Sequence, residues 1–456
     1  MEASAVAILN TCTVTATADA EVRQFVRRIH RRNPHCRILV TGCYAQRAPQ
    51  EIAALEGVAW VVGNSHKHLV SEILAKSGDP KIGRSDEHFQ TDAHPVSAAH
   101  LVHIGSPESG SQFSSQERGR ISPSPDHPIA RSPIVMVGAI TDEFHFAPVF
   151  ADDRTRPTLK IQDGCDARCS FCIIPTVRGQ SRSLPPEPVI EQVRELEGAG
   201  YHEVVLSGIN LGAWGRDLAP RLNFLGLLER LLTETAIARL RISSIEPMDV
   251  SPALIRLVAT EPRIAQHLHV PLQSGCDRIL RRMNRRYWAR HYAERLAAIH
   301  AQIPNAGIGG DVMVGFPGET AADHEASLRF IASLPYTYLH IFPFSARPGT
   351  PAAAAAEQVN GRVARERGKE IRAVIDAKHQ AFLAAQVGRS LPALTLDETE
   401  EDTRIALTTN YLKVLLPGGA IPANRLVHVQ VGRFTSGKLF GWATTAASTA
   451  SSPVLA

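Results

Sequence analysis

The chain has 456 residues, of which 44% are hydrophobic and 21% charged, and a formal net charge of +4. That balance is that of a soluble globular protein long enough for more than one core, and it falls short of the basic footprint of a protein that coats nucleic acid along its whole length. No basic leader with a cleavage pattern opens the sequence and no apolar run is long enough to cross a bilayer, so a cytoplasmic protein without membrane association is expected.

Within residues 1–78, AVAILNTC reads as a buried strand and DAEVRQFVRRIHRRN as an amphipathic helix. RILVTGCYAQ is a second strand, and EIAALEGVAWVVGN a short helix followed by a third. Strands alternating with helices predict a parallel sheet. Residues 79–132 change character: GSPESGSQFSSQERGRISPSPDHPIARSP has no apolar period and too little apolar surface to offset its ordering entropy, so the segment reads as a flexible insertion or linker.

Residues 151–386 return to alternation. PTLKIQ, EVVLSG, RLRISSI, HLHVPLQ, IGGDVMVGF and YLHIFPFS are strand candidates. Helical patterns separate them, such as PVIEQVRELEGAG, where Val189, Ile190, Val193 and Leu196 share one face. Roughly six βα units predict a partial (β/α)6 barrel, whose working groups sit on the loops after the strand C-termini. In residues 387–447, ALTLDE, RIALTTNYLKVLLP, RLVHVQVGRF and KLFGWAT are strands separated by Gly, Pro and Asn, which predicts a small all-β barrel. The fold class is therefore α/β: an N-terminal parallel-sheet domain, a partial barrel and a small C-terminal all-β barrel.

The cysteines are Cys12, Cys36, Cys43, Cys165, Cys169, Cys172 and Cys276. Where thiols stay reduced, clustered cysteines point to metal or redox chemistry, and isolated ones behave as small hydrophobes. Cys165, Cys169 and Cys172 form C-x3-C-x2-C directly after a predicted strand. Three thiolates on a four-iron cube leave one iron open to chelate the amino and carboxylate groups of S-adenosylmethionine (SAM). Structural zinc normally takes four ligands in paired elements, and no second pair or nearby His completes such a set, so the iron–sulfur reading is preferred. Cys12 and Cys43 each lie where a predicted strand meets its loop, and both can reach one edge of the sheet. Two ligands do not hold a cube, and two buried thiols remain the alternative. Cys36, in the turn NPHCRIL, falls at the opposite end of the sheet, and Cys276 reads as structural.

C-x3-C-x2-C after a barrel's first strand resembles the radical-SAM superfamily. This implies a [4Fe–4S] cluster on Cys165, Cys169 and Cys172 that cleaves SAM to a 5′-deoxyadenosyl radical. Further matches to SAM-contact elements lie at successive strand ends: Gly208 and Asn210 in LSGIN, Glu246 in SSIEP, His269 and Gln273 in HVPLQSG, and Asp311, Gly315 and Glu319 in GDVMVGFPGE. NTC-T-T, TGC-AQR, KIQDGC-x3-C-x-FCIIP-x-x-RG-x-SRS, LSGINLG, RISSIEP, HLHVPLQSG, DVMVGFPGET and FPFSARPGTPA together resemble the methylthiotransferases, most closely the MtaB type. The likeness covers nearly all of the chain outside 79–132, including a terminal barrel similar to a TRAM domain.

The resemblance implies a second [4Fe–4S] cluster held by three N-terminal cysteines, with Cys12 and Cys43 as two of them. The family's first cluster cysteine sits in a strand–helix unit upstream of NTC. That unit is missing here, so an incomplete N-terminal domain is expected. The implied activity is addition of a methylthio group to C2 of N6-threonylcarbamoyladenosine at position 37 of tRNA. It needs SAM and a flavodoxin- or ferredoxin-like electron donor, and the sequence identifies no sulfur donor. Candidate RNA contacts are Arg178 and Arg182 after the cluster loop, and Arg404, Lys413 and Arg433 of the terminal barrel, where Arg425 and Lys438 also alternate with Tyr411, Phe434 and Phe440. The competing reading makes those aromatics barrel core and the cations its solvated face. Rival functions are a RimO-like action on a ribosomal protein, or an RNA-binding, SAM-cleaving protein with impaired sulfur insertion.

Overall fold

The computed structural model describes residues 6–76, 101–103, 133–141, 155–400, 403–417 and 421–444. The chain forms two compact bodies. The first holds Met1–His145, Cys172–Gly179 and Ser345–Ala353, and the second Phe146–Phe171, Gln180–Phe344 and Ala354–Ala456.

In the first body the three apolar runs become β1 (Val6–Thr11), β2 (Arg37–Gly42) and β3 (Val58–Gly63). They pair in parallel, with Thr11 level with Gly42 and Gly42 level with Gly63. Alternation along β2 sends Ile38 and Val40 into one core with Leu9, Val22 and Val26, and Leu39 into another with Trp60, Val62 and Leu74. Burial on both faces is why these strands read as unbroken apolar runs. The helix α1 (Ala16–Arg32) turns Val22 and Val26 inward, one turn apart, and is N-capped by the Thr15 side chain, which accepts from the Ala18 amide.

Short helices follow: α2 (Cys43–Arg47), α3 (Pro49–Ala53) and α4 (Val70–Lys76). The separate helix α5 (Ile174–Arg178) also belongs to this body. Two edge strands complete the sheet, β4 (Leu101–His103) beside β1 and β5 (Ile134–Met136) beside β3. β4 falls inside residues 79–132, which the composition marked as a linker. Three residues are too short to show a period. The rest of that segment lies outside the described residues.

The second body begins with β6 (Thr158–Lys160) and a two-residue antiparallel pair, β7 (Gln162–Asp163) and β8 (Arg182–Ser183). The parallel arc continues through β9 (Glu203–Ser207), β10 (Arg239–Ile242), β11 (His267–His269), β12 (Gly307–Gly309), β13 (Asp311–Val314) and β14 (His340–Pro343). Backbone bonds from Ala265 to Leu240 and from Leu272 to Asp311 bridge the ladders. Helices alternate with these strands: α6 (Pro186–Gly198), α7 (Phe224–Glu234), α8 (Pro252–Thr260), α9 (Asp277–Arg282), α10 (Ala289–Gln302) and α11 (Ala321–Ser333). α6 buries Val189, Ile190, Val193 and Leu196, the face its period assigned.

The long α12 (Gly361–Ala384) leads to a closed barrel of β15 (Ser390–Glu400), β16 (Thr403–Thr408), β17 (Lys413–Leu416), β18 (Leu426–Thr435) and β19 (Lys438–Thr444). The two barrels meet at a buried charge cluster. Burial alone would raise the Glu203 carboxyl, but Arg241, Arg239 and Arg156 hold it down to about 2. Arg241 also donates to the Thr408 and Thr409 carbonyls at 3.1 and 3.3 Å, and Tyr411 stacks on His267 with centroids 4.3 Å apart. Among the described residues no helix is long and apolar enough to cross a membrane.

Candidate functional site

In the second body, Gln162 organises the start of the cysteine loop. Its buried amide nitrogen donates to the carbonyls of Asp163 and Gly164 and to the Ser181 hydroxyl, each at 2.9 Å, and its oxygen accepts from the Asn210 amide at 2.7 Å. One side chain thus ties the cysteine loop to the LSGIN loop. Gly208 is small because a Cβ there would stand 3.0 Å from Gln162. Farther along, the loop is pinned from outside: Ser170 donates its amide to Met283 and its hydroxyl to Arg282, and the Asn284 side chain donates to the Arg168 carbonyl.

Cys165 Sγ accepts from the Ala167 amide at 3.4 Å, and burial pushes its thiol up. Cys169 Sγ accepts from Arg285 Nη1 at 3.3 Å. The Arg285 side chain is only 6% exposed; it pairs with Glu246 and donates from Nε to the Tyr287 hydroxyl at 3.2 Å. Nothing in RRMNRRY distinguishes Arg285 from its neighbours, and sequence reasoning missed it. It engages the Glu246 carboxylate expected to meet SAM, which burial pushes up despite that pairing.

The remaining SAM candidates also lie on the loops and ends of β9, β11 and β13. Asn210 Oδ1 and Gln273 Oε1 are buried without a protein partner, and Gln273 has a φ of 67°. Two orphaned amide oxygens, one after β9 and one after β11, suit a ligand rich in N–H donors, such as the amino group and adenine of SAM, so these residues fit the cofactor. His269, Asp311 and His340 form a linked set. Asp311 meets His269 Nε2 at 3.1 Å and His340 Nδ1 at 3.2 Å, and Tyr338 joins His269 Nδ1 at 3.0 Å to His267 Nε2 at 2.8 Å. Burial would raise the Asp311 carboxyl, yet the two imidazoles hold it well below the usual carboxylate range. Their donor atoms lie within 4.8 Å of one another, as a cation site needs, although the groups already satisfy each other. Gly315 has a φ of 73°, and a Cβ there would meet Ala364 of α12 at 2.5 Å, so packing alone requires glycine.

In the first body the parallel register carries Cys12 and Cys43 to the same C-terminal edge, while Cys36 precedes β2 at the other end. Gly42 makes the turn: its φ is 100°, and a Cβ would lie 2.4 Å from the Thr11 carbonyl oxygen. Cys12 Sγ accepts from the Val14 amide at 3.4 Å. Its thiol is pushed up chiefly by burial, with Cys43 raising it further and the Arg178 charge lowering it. Cys43 is 2% exposed, packs against Ile173 and Val177, and accepts from Arg178 Nε at 3.1 Å and Asn64 Nδ2 at 3.5 Å.

The Cys12 loop is held by a second cluster. Asp19 accepts from Thr13 Oγ1 at 2.7 Å, Arg47 at 2.9 Å and Arg347 at 2.7 Å, and Arg347 also donates to the Thr13 carbonyl. Arg347 comes from the motif FPFSARPGTPA, to which sequence reasoning gave no role. Cys172 opens the stretch that joins this body and continues into α5.

The proposed RNA contacts are mostly engaged within the protein. Arg178 is on Cys43, and Arg182 lies 4.0 Å from Asp163. Arg404 donates to the carbonyls of Ile421, Leu396 and Asp397, Lys413 pairs with Glu398 at 3.0 Å, and Arg433 lies over the Phe440 ring. Tyr411 stacks against the larger barrel, while Phe434 and Phe440 pack on buried clusters. Trp442, 56% exposed on β19, was not singled out from the sequence.

Residues 159–331 match the Radical SAM superfamily, and residues 1–63 match the uncharacterized protein family UPF0004. The threonylcarbamoyladenosine tRNA methylthiotransferase MtaB of Bacillus subtilis (strain 168) is 35% identical over 429 residues, 93% of this chain and 84% of that protein. The protein of the same name from Aquifex aeolicus (strain VF5) is 33% identical, covering 90% of this chain and 87% of its own length. A tRNA-2-methylthio-N(6)-dimethylallyladenosine synthase of Desulfitobacterium hafniense (strain Y51) is 34% identical but aligns with only 64% of this chain.

Proposed function

The chain belongs to the MtaB family of radical-SAM methylthiotransferases, and from that premise we propose that it adds a methylthio group to C2 of threonylcarbamoyladenosine at position 37 of tRNA. The observation that carries this reading is the extent of the likeness: the MtaB relatives align with about nine-tenths of the chain. The RimO-like alternative is not favoured.

In this proposal Cys165, Cys169 and Cys172 hold the radical-SAM cluster, and Asn210 and Gln273 bind SAM through their unpartnered oxygens. Bound together, the cluster and SAM supply the one-electron cleavage that generates a 5′-deoxyadenosyl radical. The protein orients and protects: Gln162 and Asn284 fix the cysteine loop, and Arg285 stabilises the Cys169 sulfur while holding Glu246. We assign Cys12 and Cys43 as two of the three thiolates of a second [4Fe–4S] cluster, brought to one sheet edge by the register of β1 and β2. tRNA is the substrate, and a flavodoxin- or ferredoxin-like protein the electron source.

The test is nucleoside analysis of tRNA from a deletion strain. The methylthio derivative of threonylcarbamoyladenosine should disappear and the unmodified nucleoside accumulate. Persistence of the methylthio nucleoside would falsify the proposal.

A further inference from the structure

We propose that the exposed arginine face on α9 and the turn after it, with Arg168, Arg281 and Arg286 beside Trp288, is the docking surface for a small acidic one-electron carrier protein. The inference rests on the reading of Cys165, Cys169 and Cys172 as ligands of the radical-SAM cluster, and it names where the electron enters. CDRILRRMNRRYWAR, from Cys276 to Arg290, holds six arginines against one carboxylate, in a chain whose net charge is only +4. Three of the six are engaged: Arg278 pairs with Asp323, Arg282 with Glu357 and Arg285 with Glu246. Arg281, Arg286 and Arg290 are exposed, as is Arg168 of the cysteine loop. Among the described residues none of these four has an acidic partner.

The fold sets this face directly against the cysteine loop. α9 ends in a left-handed turn: Asn284 has a φ of 58°, its amide donates to the Arg281 carbonyl at 3.0 Å, and the Arg285 amide reaches back to Leu280 at 2.9 Å. That turn brings the Asn284 side chain to the Arg168 carbonyl at 2.6 Å, and the Met283 and Arg282 carbonyls to Ser170. The next residue, Arg285, carries the contact inward to the Cys169 sulfur at 3.3 Å. Trp288 is 39% exposed with Arg281 over its ring at 5.1 Å, the aromatic-and-arginine combination that protein interfaces favour. Unpaired guanidinium groups at a surface draw an acidic partner and speed its encounter. One electron then passes from the carrier's reduced flavin or iron–sulfur group to the cluster; the carrier is oxidised by one, and no bond forms or breaks. RNA is the other polyanion such a face could attract, and position favours the carrier. An electron needs only to reach Cys169, whereas a base to be modified must reach SAM. Asn210, a candidate SAM contact, meets the loop at its other end, through Gln162.

The experiment uses full-length, anaerobically reconstituted protein, with a purified flavodoxin as the acidic carrier and Arg281→Glu and Arg286→Glu introduced together. Flavodoxin binding is measured by surface plasmon resonance at low salt. The Kd should rise about tenfold in the variant, and the parent's own binding should weaken as salt is raised. 5′-Deoxyadenosine formation driven by dithionite, which needs no docking, should stay at the parental level, and so should the affinity for tRNA. Arg281→Gln with Arg286→Gln removes the charge without reversing it and should fall between; it takes over if the reversal lowers iron content. Unchanged flavodoxin affinity, or a parent that does not bind flavodoxin, overturns the proposal. A tRNA affinity that falls as far as the flavodoxin affinity assigns the face to RNA and overturns it too. A parent that forms no 5′-deoxyadenosine with dithionite defeats the radical-SAM reading itself, and the proposal with it.

Discussion

The Cys12 and Cys43 pair in the first body and the Cys165 and Cys169 pair in the second are wired alike, although their spacings are not. Cys12 accepts the amide two residues ahead at 3.4 Å, and Cys165 does the same at the same distance. Cys43 accepts a guanidinium at 3.1 Å, and Cys169 accepts one at 3.3 Å. Each site therefore pairs one sulfur held by a local backbone turn with another held by an arginine distant in sequence. The sites differ in what holds their loops. The Cys12 loop is tied down by a buried ion cluster, Asp19 with Arg47 and Arg347, while the loop of Cys165 and Cys169 is held by hydrogen bonds from Ser170 and Asn284. The same sulfur chemistry is supported by charge in one body and largely by backbone geometry in the other.

The strongest way to separate the sites is to remove one sulfur from each. Cys169→Ala should abolish 5′-deoxyadenosine formation altogether, since no other described side chain stands in for that thiolate. Cys43→Ala should leave SAM cleavage measurable while the methylthio product disappears. Chromatography of nucleosides and 5′-deoxyadenosine from one anaerobic reaction reads both. If the two variants lost both products equally, the division of labour between the sites would be wrong.

How far each site could be read from the sequence follows from the same contrast. A cube needs three thiolates close together, so C-x3-C-x2-C announces itself within one loop. Cys12 and Cys43 are separated by 31 positions, and only the parallel register of β1 and β2 brings them to one edge. The βα alternation made that register readable, because strands buried on both faces leave long apolar runs. The parts played by the arginines that finish each site were not readable. Arg178, Arg285 and Arg347 are three of 49 basic residues, and neither period nor spacing marks the ones whose partners lie far along the chain. The barrel cations were read without their neighbours. Arg404 and Lys413 sit on strands where outward cations look available, but closure of the barrel supplies Arg404 with carbonyls and Lys413 with Glu398.

The difference in loop support can be measured directly. The Arg347 and Asp19 side chains are 4% and 5% exposed, so removing the guanidinium strands a buried carboxylate with one arginine fewer. Breaking a buried pair in this way costs roughly 3–5 kcal/mol. Arg347→Met should lower stability by about that amount in urea unfolding monitored by circular dichroism. Ser170→Ala, which removes one neutral hydrogen bond from the other loop, should cost about 1 kcal/mol. Equal losses would mean that charge and backbone support the two loops equally.

The smallest expected effect on activity concerns Arg285, whose contact with Cys169 parallels that of Arg178 with Cys43. Residues that hydrogen-bond to metal ligands typically change affinity or activity by about 10- to 100-fold when lost. Arg285→Gln removes the charge, frees Glu246 from its pairing and keeps an N–H donor of shorter reach. 5′-Deoxyadenosine formation should fall within that range while the cluster still forms, as judged by iron content and visible absorption. Arg285→Lys should recover less than a like change at an exposed pair would, because Arg285 makes three directed contacts, to Cys169, Glu246 and Tyr287, that one ammonium cannot reproduce. Recovery by lysine to the parent rate would show that charge alone matters at Cys169, and the geometric half of the parallel between the two sites would then fail.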